Sequence, residues 1–348
     1  MDNVNNSDQC NQKKPVRKLA DGIYQLWLPM TASVLTGLDH VYSYLIEGVA
    51  GWWLIDIGWN TPDILTTLKE AFKMLQIDFK EINTILVSHC HPDHYGMAGK
   101  IKELSPKTQI VLHPRDADLI DPRYINFIET EKKTEDHLES HGVPVADLKL
   151  LGSASLHALD LVSVIKPDYT ISDGEVIHTG IFDLEVIWTP GHSPGHICFY
   201  EPKNRFLFCG DHILPTITPN ISSHILSGVN PLGGYINSLY RMSRLQVDEI
   251  HPGHEYSFTG LEERINKILE HHQMREDQIY TALKSHKQSA YDLAASLTWN
   301  VRGQKWAQFS PWFKRMATTE VVAHLEYMQS QSRIRRDNLD NKFFYSLR

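Results

Sequence analysis

The sequence predicts an α+β protein in which a large N-terminal domain precedes a small helical domain. Three observations support this class. Runs rich in β-branched and aromatic residues alternate with short amphipathic helices up to about residue 259. Several of these strand-like runs end in turns that contain glycine and histidine. Beyond residue 260 the pattern becomes one of successive helices that end in a hairpin.

Length and composition are those of a globular protein. The chain has 348 residues, of which 42% are apolar and 22% are charged. Single cores seldom grow beyond about 250 to 300 residues, so this length favours a main domain with an appendage. We predict a disordered arm over residues 1–16, a catalytic domain over residues 17–259 and an appended domain over residues 260–348. The formal net charge of −8 argues against a chain built wholly to coat nucleic acid.

The sequence gives no sign of a membrane segment or of export. No stretch approaches the roughly 18 uninterrupted apolar residues of a membrane span. The polar start, MDNVNNSDQCNQKKPVRK, lacks the apolar region of a signal peptide. We therefore expect a cytoplasmic protein with no membrane partner. The four cysteines (Cys10, Cys90, Cys198 and Cys209) lack C-x-x-C spacing, which favours reduced thiols over disulfides.

The first half of the catalytic domain contains three early strands, a helix and a buried strand. The strands are predicted over IYQLWLP, HVYSYLIEG and GWWLIDIG. Thr61, Pro62 and Asp63 then form a helix start before the amphipathic run ILTTLKEAFKML. The apolar run INTILVSH predicts a buried strand that leads into a histidine-rich turn.

Residues 115–163 interrupt the strands with helix-forming residues such as YINFIETEKKTEDHLESHG. Two interpretations of this insertion stay open: a pair of surface helices, or a lid or wall of a substrate pocket. Strands return with FDLEVIWTP, HICFYEP and RFLFCGD, and the helix GGYINSLYRMSRL precedes VDEIHPGHE.

The last part of the chain has the element order of a winged helix. A long helix over about residues 261–286 is followed by two more helices and the hairpin RIRRD-NLDN-KFFYSL. Residues 286–348 contain 10 Lys/Arg and 5 Asp/Glu, a net charge of +5, whereas the remaining 24 and 37 give the rest of the chain −13. The sequence therefore predicts a locally basic tail on an acidic body.

The segment HCHPDH, residues 89–94, is the strongest functional motif. It directly follows a buried apolar strand. In an extended loop the side chains at i and i+2 project to the same side, so His89 and His91 can bind one ion while Asp93 and His94 face a neighbouring position. Pro92 forbids a helix that runs through the block.

Three further glycine-containing turns end strands in the same chain order. TPGHSPGH supplies His192, FCGDH supplies Asp211 and HPGHE supplies His254. Strand ends of this kind expose site residues in α/β scaffolds. Together with residues 89–94 they provide five histidines and two carboxylates, a set that suits two metals of zinc type.

With these motifs the sequence resembles the metallo-β-lactamase fold superfamily, and the H-x-H-x-D-H block with TPGH, GD and PGHE resembles its glyoxalase II branch most. The resemblance implies an αββα sandwich. It also implies two metal positions that share a carboxylate: His89, His91 and His192 would hold the first metal, Asp93, His94 and His254 the second, and Asp211 would bridge them. Asp56 in LIDIG matches a buried aspartate that orients a ligand from behind.

The tail is similar to the winged-helix domain that follows the catalytic domain in a subgroup of these proteins. GDHILPTITPNIS resembles the signature of that subgroup, which includes bacterial hydrolases and lactamase-like endoribonucleases. This match is looser than the metal motifs, and it leaves the substrate open.

The implied chemistry is hydrolysis with two divalent ions. A metal pair roughly 3.5 to 4 Å apart can hold a bridging hydroxide at neutral pH and polarise the scissile carbonyl or phosphoryl oxygen. Asp93 is the catalytic candidate, because it can orient the water or carry its proton. Zn²⁺ fits the ligands best, while Mn²⁺ and Fe²⁺ also accept imidazole and carboxylate.

Several neighbouring residues are weaker candidates. His196 and His212 adjoin predicted ligands and can serve either in packing or at the substrate. Tyr95 follows the HCHPDH segment and can present a phenol to the substrate. Cys90 lies inside the segment, but in an extended loop its side chain points away from those of its neighbours.

The leading hypothesis is a hydrolase of a small-molecule thioester, ester or lactone, similar to hydroxyacylglutathione hydrolase. The alternative is a metal-dependent single-strand endoribonuclease that uses the winged helix to hold nucleic acid. A third class, a DNA-binding regulator, would use FSPWFKRMATTEVVAHLEYM as its recognition helix. The role of the winged helix as a lid, a homodimer interface or a nucleic-acid module stays open.

Overall fold

The computed structural model describes residues 14–31, 37–299 and 303–348. Most of the predicted arm, residues 1–16, and Cys10 lie outside the described residues. Cys90, Cys198 and Cys209 are buried free thiols, as expected for reduced cysteines. Among the described helices, none combines the length and apolar character required to cross a bilayer.

The first sheet has seven strands in chain order: β1 Val16–Ala20, β2 Ile23–Pro29, β3 His40–Ile46, β4 Trp52–Ile55, β5 Ile82–Leu86, β6 Gln109–Leu112 and β7 Tyr169–Thr170. Neighbours from β1 to β4 pair antiparallel, and neighbours from β4 to β7 pair parallel. The parallel half directs the carboxyl ends of its strands to one edge.

The second sheet has the order β12-β11-β10-β9-β8. Its strands are β8 Val176–His178, β9 Asp183–Trp188, β10 Ile197–Glu201, β11 Phe206–Gly210 and β12 Glu249–Pro252. β11 and β12 pair parallel, while the other neighbours pair antiparallel.

Helices cover the outer faces and form most of the second half of the chain. The α-helices are α1 Pro62–Leu75, α2 Pro92–Tyr95, α3 Ala98–Leu104, α4 Pro114–Ala117, α5 Phe127–Ser140, α6 Val145–Gly152, α7 Pro231–Met242, α8 Leu261–Leu283, α9 Ala290–Ser296 and α10 Pro311–Ser330. Shorter turns are the 3₁₀-helices Phe79–Glu81, Ser153–Leu161 and Trp306–Gln308 and the π-helix Asp121–Ile125. The hairpin consists of β13 Ile334–Leu339 and β14 Lys342–Leu347.

The two sheets pack face to face between layers of helices. The layer between the sheets is built from side chains such as Leu86, Val186 and Phe208. Ile64 and Leu68 on the apolar stripe of α1 cover the outer face of the first sheet, and α7 and α8 cover the second. This arrangement confirms the predicted αββα sandwich, because each sheet buries apolar residues on both faces.

The predicted insertion, residues 115–163, is helical and reaches the HCHPDH segment. The phenol of Tyr124, in the π-helix, donates a hydrogen bond to the carbonyl oxygen of Cys90. Outward-facing side chains such as Ile128 and Val145 are exposed. The insertion therefore combines a solvent face with an inner face beside the segment, and its role as a pair of surface helices or as a pocket wall stays a prediction.

The C-terminal elements follow the predicted order of three helices and a hairpin. They have a core of their own that includes Leu293, Val321, Ile334 and Tyr345. The first of these helices, α8, ends at Leu283, slightly before the predicted end. Ala323 of α10 also packs into the core that covers the second sheet, so the C-terminal unit is in contact with the sandwich. The winged-helix assignment and the domain boundary at residue 260 stay predictions.

Candidate metal centre

The predicted site residues meet at one edge of the sandwich because parallel strands deliver them there. Asp56 follows β4, the HCHPDH segment follows β5, and Asp211 and His254 follow the parallel pair β11 and β12. Two backbone hydrogen bonds join the sheets at this edge, from Tyr42 N to Gly253 O (2.7 Å) and from Ile197 N to Ser88 O (2.9 Å).

The HCHPDH segment is only partly the extended loop that its spacing predicts. His91 has extended backbone angles and caps α2, which begins at Pro92. Proline is tolerated at the first helical position because its missing N–H would have no partner there. The prediction of an extended loop was therefore wrong for Pro92, Asp93 and His94, which lie on the helical turn Pro92–Tyr95.

The first cluster consists of His89, His91 and His192, whose ligand atoms all lie within 4.8 Å of one another. His89 Nε2 and His91 Nδ1 are 3.0 Å apart. His192 Nε2 lies 3.5 Å from Oδ2 of Asp211.

The second cluster consists of Asp93, His94 and His254, within the same distance limit. His254 Nε2 lies 3.3 Å from Oδ2 of Asp93. The nitrogens His94 Nε2 and His254 Nε2 each lie 3.4 Å from Oδ1 of Asp211. Asp211 thus faces the first cluster with one oxygen and the second with the other, the position that a bridging ligand requires. The roles of these residues as ligands stay predictions.

Unpaired polar atoms converge on the middle of these clusters. Within the described part of the chain, Nε2 of His94, His192 and His254 and Oδ1 of Asp211 are buried and form no hydrogen bond. Such atoms are costly to bury without partners. Imidazole nitrogen and carboxylate oxygen are donors that Zn²⁺, Mn²⁺ and Fe²⁺ accept. The residues present therefore fit divalent metal ions.

In His94, His192 and His254, the ring nitrogen Nδ1 is hydrogen-bonded to a group outside the clusters, which leaves Nε2 available to bind a metal ion. The partners of Nδ1 are Asp56 Oδ2 for His94 (2.8 Å), the carbonyl oxygen of Asn220 for His192 (2.9 Å) and the carbonyl oxygen of His40 for His254 (2.7 Å).

Asp56 lies behind His94, where the resemblance placed it. Its carboxylate also accepts hydrogen bonds from the backbone N–H of Ser88 (2.7 Å) and from the Ser88 hydroxyl (2.8 Å). Its backbone has a φ of 58°, in the left-handed region that a non-glycine residue seldom adopts. Aspartate is among the residues that tolerate this conformation, and active sites are one of the places where it is found.

Electrostatics differ between the two clusters. Burial and the neighbouring imidazoles, first that of His94, hold the pKa of His89 well below its usual value. Burial also lowers the pKa of His94, but the carboxylates of Asp211 and Asp56 outweigh it and raise the pKa well above the usual value. Burial raises the pKa of Asp211, but the imidazoles of His254 and His94 outweigh burial and bring this pKa well below its usual value. The negative carboxylates thus stabilise positive charge at the second cluster. Protons or a metal ion can supply this charge.

Sequence reasoning missed Asp116, a fully buried residue of α4. Its carboxylate accepts hydrogen bonds from the N–H of Cys90 (2.7 Å), the hydroxyl of Ser193 (2.8 Å) and the N–H of Gly195 (2.6 Å). Asp116 therefore ties the HCHPDH segment to the turn that carries His192. Its position just after β6, at the same sheet edge as the other strand ends, was the signal that could have found it.

The weaker candidates occupy the surroundings of the clusters rather than the clusters themselves. His196 Nε2 accepts the backbone N–H of Asp211 (3.2 Å). The ring of His212 is buried, and burial lowers its pKa to about 3. The Tyr95 phenol is bonded to both backbone groups of Ile165. Cys90 is a buried thiol whose pKa is raised, first by burial and then by Asp116.

The comparisons with known proteins agree with this fold. The model of the metallo-beta-lactamase superfamily matches residues 36–254. A probable metallo-hydrolase of Bacillus subtilis, YqjP, is 24% identical over 305 residues, which cover 84% of this chain and 89% of that protein. An uncharacterized protein of Aquifex aeolicus is 34% identical over 158 residues, which cover 45% of this chain and 57% of that protein.

Two further relatives are informative. A hydroxyacylglutathione hydrolase of Francisella tularensis subsp. novicida is 28% identical over 161 residues, which cover 44% of this chain and 61% of that enzyme. The crystal structure of the metallo-beta-lactamase family protein TTHA1429 from Thermus thermophilus is 25% identical and superposes with a TM-score of 0.80 over 95% of this chain and 100% of that chain. Since the family match spans more than half of the sequence, the chain belongs to the metallo-beta-lactamase superfamily and is a metal-dependent hydrolase.

Proposed function

We propose that this protein hydrolyses a small acyl compound, a thioester, ester or lactone, with two divalent metal ions. The observation that carries the proposal is the convergence of four buried, unpaired donor atoms from His94, His192, His254 and Asp211. Zn²⁺ is the ion we propose first, and Mn²⁺ and Fe²⁺ suit the same donors.

When bound, the metal ions supply an activated water and polarise the scissile carbonyl group. The first cluster would hold one ion and the second cluster the other, with Asp211 between them. Asp93 is the carboxylate that we expect to orient the attacking water and take up its proton. Its side chain is 15% exposed, so solvent can reach it.

Two observations favour an acyl substrate over nucleic acid. The partial relative from Francisella is named hydroxyacylglutathione hydrolase. The helix α10, which was the candidate recognition helix, is buried on all sides in its middle part, as shown by Thr318, Thr319, Val321 and Ala323. A helix must present a free face to enter a nucleic-acid groove. The middle of α10 offers none.

The test is thiol release from acyl-glutathione and acyl-CoA thioesters, together with a neutral ester and a lactone, by zinc- or manganese-loaded protein. Metal content is measured in every sample. We expect turnover by the wild-type chain and a loss of at least about 100-fold in His91→Ala and Asp93→Asn, with unchanged circular dichroism.

The absence of turnover on the whole panel, in protein that holds about two metals, would contradict an acyl hydrolase. Cleavage of single-stranded RNA by the same sample, lost in His91→Ala, would then establish the endoribonuclease alternative. Activity that survives in metal-verified Asp93→Asn would remove Asp93 from the proposed mechanism.

A further inference from the structure

The loop between β11 and α7, residues 211–230, carries Asp211 and is held by the C-terminal helices. Arg264 of α8 donates from Nε to the carbonyl oxygen of Leu214 (2.5 Å) and from Nη2 to that of Ile217 (2.6 Å). Two carbonyls of the loop are thus bonded to one guanidinium group, whose forked donors fix direction as well as distance.

The helix α10 holds the next part of this loop. The N–H of Ser223 donates to the carbonyl oxygen of Thr319 (2.9 Å), and the Thr319 hydroxyl donates to Oγ of Ser222 (3.1 Å). One residue further along α10, Oε2 of Glu320 accepts a hydrogen bond from Nδ2 of Asn220 (3.2 Å).

Asn220 connects these contacts to the metal centre. Its side-chain amide is held at both ends, by Glu320 through Nδ2 and by the Ser222 hydroxyl through Oδ1. Its backbone carbonyl accepts the Nδ1 proton of His192 at 2.9 Å. The orientation of the His192 ring therefore depends on a peptide group that α10 keeps in place.

The carboxylate of Glu320 is itself fixed from the other side. Its Oε1 lies 3.6 Å from Nε of Arg275, and both side chains are largely buried. The Arg275 guanidinium lies 4.0 Å above the Trp299 ring and donates to the carbonyl oxygen of Thr298 (3.0 Å). The two oxygens of Glu320 thus have different neighbours, Arg275 at Oε1 and Asn220 at Oε2, which fixes the orientation of its carboxyl group.

We propose that Glu320 is a positioning residue of the metal centre, which acts through Asn220 to orient His192, so that the C-terminal unit completes the site. The proposal rests on the proposed function only in that His192 binds a metal ion. Partners of ligating histidines typically change metal affinity by about 10- to 100-fold when removed.

The experiment measures zinc affinity by competition with a chromophoric chelator and the visible spectrum of the cobalt-substituted protein. We expect Glu320→Ala and Asn220→Ala each to weaken binding of one zinc ion about 10- to 100-fold and to shift the cobalt bands. Glu320→Gln keeps an oxygen that can accept from Asn220, and should recover most of the affinity. The double variant should bind zinc no more weakly than Asn220→Ala alone.

Glu276→Ala is the matched control, because Glu276 is a buried carboxylate of the same unit, paired with Arg333. It should lower the free energy of unfolding and leave zinc affinity unchanged. Wild-type affinity in folded Glu320→Ala, or additive losses in the double variant, would overturn the proposal. If Glu320→Ala fails to fold, wild-type affinity in Asn220→Ala overturns it instead. A wild-type chain that binds no divalent metal would contradict the proposed function itself.

Discussion

At the residue scale, the candidate metal centre depends on buried carboxylates that lie outside the two clusters. Asp116 accepts three hydrogen bonds from two separate loops, and Asp56 accepts bonds from Ser88 and His94. A buried carboxylate can serve several donors at once because each oxygen has two lone pairs. Through such residues, the positions of the predicted ligands depend on hydrogen bonds among several loops at this edge of the sandwich.

Asp116→Asn tests this role directly. The N–H of Gly195 faces Oδ1 and the N–H of Cys90 faces Oδ2, so an amide in either orientation places its NH₂ group against a backbone donor. We expect the variant to lose about 3 kcal/mol of unfolding free energy, since a buried donor is left unpaired and a charged acceptor is lost. Urea unfolding of the metal-free protein measures this loss of unfolding free energy.

Asp248→Asn serves as the comparison, because Asp248 forms an exposed ion pair with Arg205. Exposed pairs contribute about 0 to 1 kcal/mol. If Asp116→Asn were as stable as Asp248→Asn, the three hydrogen bonds of Asp116 would not be what holds the two loops together.

At the element scale, the helices differ in how closely they approach the backbone of their neighbours. Gly99 of α3 lies against the last residue of the insertion, and a Cβ atom there would be 2.4 Å from the carbonyl oxygen of Ser163. Gly234 of α7 has more room, and its nearest neighbour would be 3.6 Å away. The close approach of a neighbouring backbone therefore requires glycine at position 99 but not at position 234.

Alanine substitutions at these glycines should change stability in opposite directions. Alanine has the higher helix propensity, by about 1 kcal/mol. We expect Gly234→Ala to raise the unfolding free energy by up to that amount, and Gly99→Ala to lower it by about 2 kcal/mol, because the backbone of Ser163 must move. Thermal or urea unfolding of the two variants decides this, and a stabilised Gly99→Ala would show that α3 can shift freely against Ser163.

At the scale of the whole molecule, burial keeps several imidazoles neutral in the folded state. Burial lowers the pKa of His212, His251 and His324 to about 3. The unfolded state then binds more protons than the folded state between pH 6.5 and 3, so stability falls as pH falls through this range. Each group contributes about 1.4 kcal/mol per pH unit.

His251→Phe should reduce this acid sensitivity. His251 stacks on Phe208, so an aromatic side chain can replace it. Between pH 6.5 and 5 we expect metal-free wild-type protein to lose about 2 kcal/mol more than the variant. Urea unfolding at several pH values provides the two slopes. Equal slopes for His251→Phe and the wild type would mean that His251 can be protonated in the folded state.

Metal removal is the second test at this scale. An ion that binds only the folded state stabilises it by about 4 kcal/mol at 1,000 times its dissociation constant. We therefore expect chelation to lower the melting temperature and Zn²⁺ or Mn²⁺ to restore it, as differential scanning calorimetry would show. An unchanged melting temperature after verified loss of metal would contradict a metal centre built into the folded core.

The sequence by itself determined the individual strands and the ligand candidates, because both depend on local patterns. Strand periodicity predicts the strands, the resemblance to the metallo-β-lactamase superfamily implies their arrangement in a sandwich, and histidine and aspartate in turns after strands predict the clusters that the structure brings together. Tertiary structure alone decided the rest. Asp116 and Glu320 act on residues far away in the chain, Asn220 acts through a backbone carbonyl that any residue possesses, and the packing of Tyr95 against Ile165 has no local signature. Candidate metal ligands can be predicted from residue type, which the sequence shows. The residues that position these ligands are defined by where they lie in space, and only the folded structure reveals that.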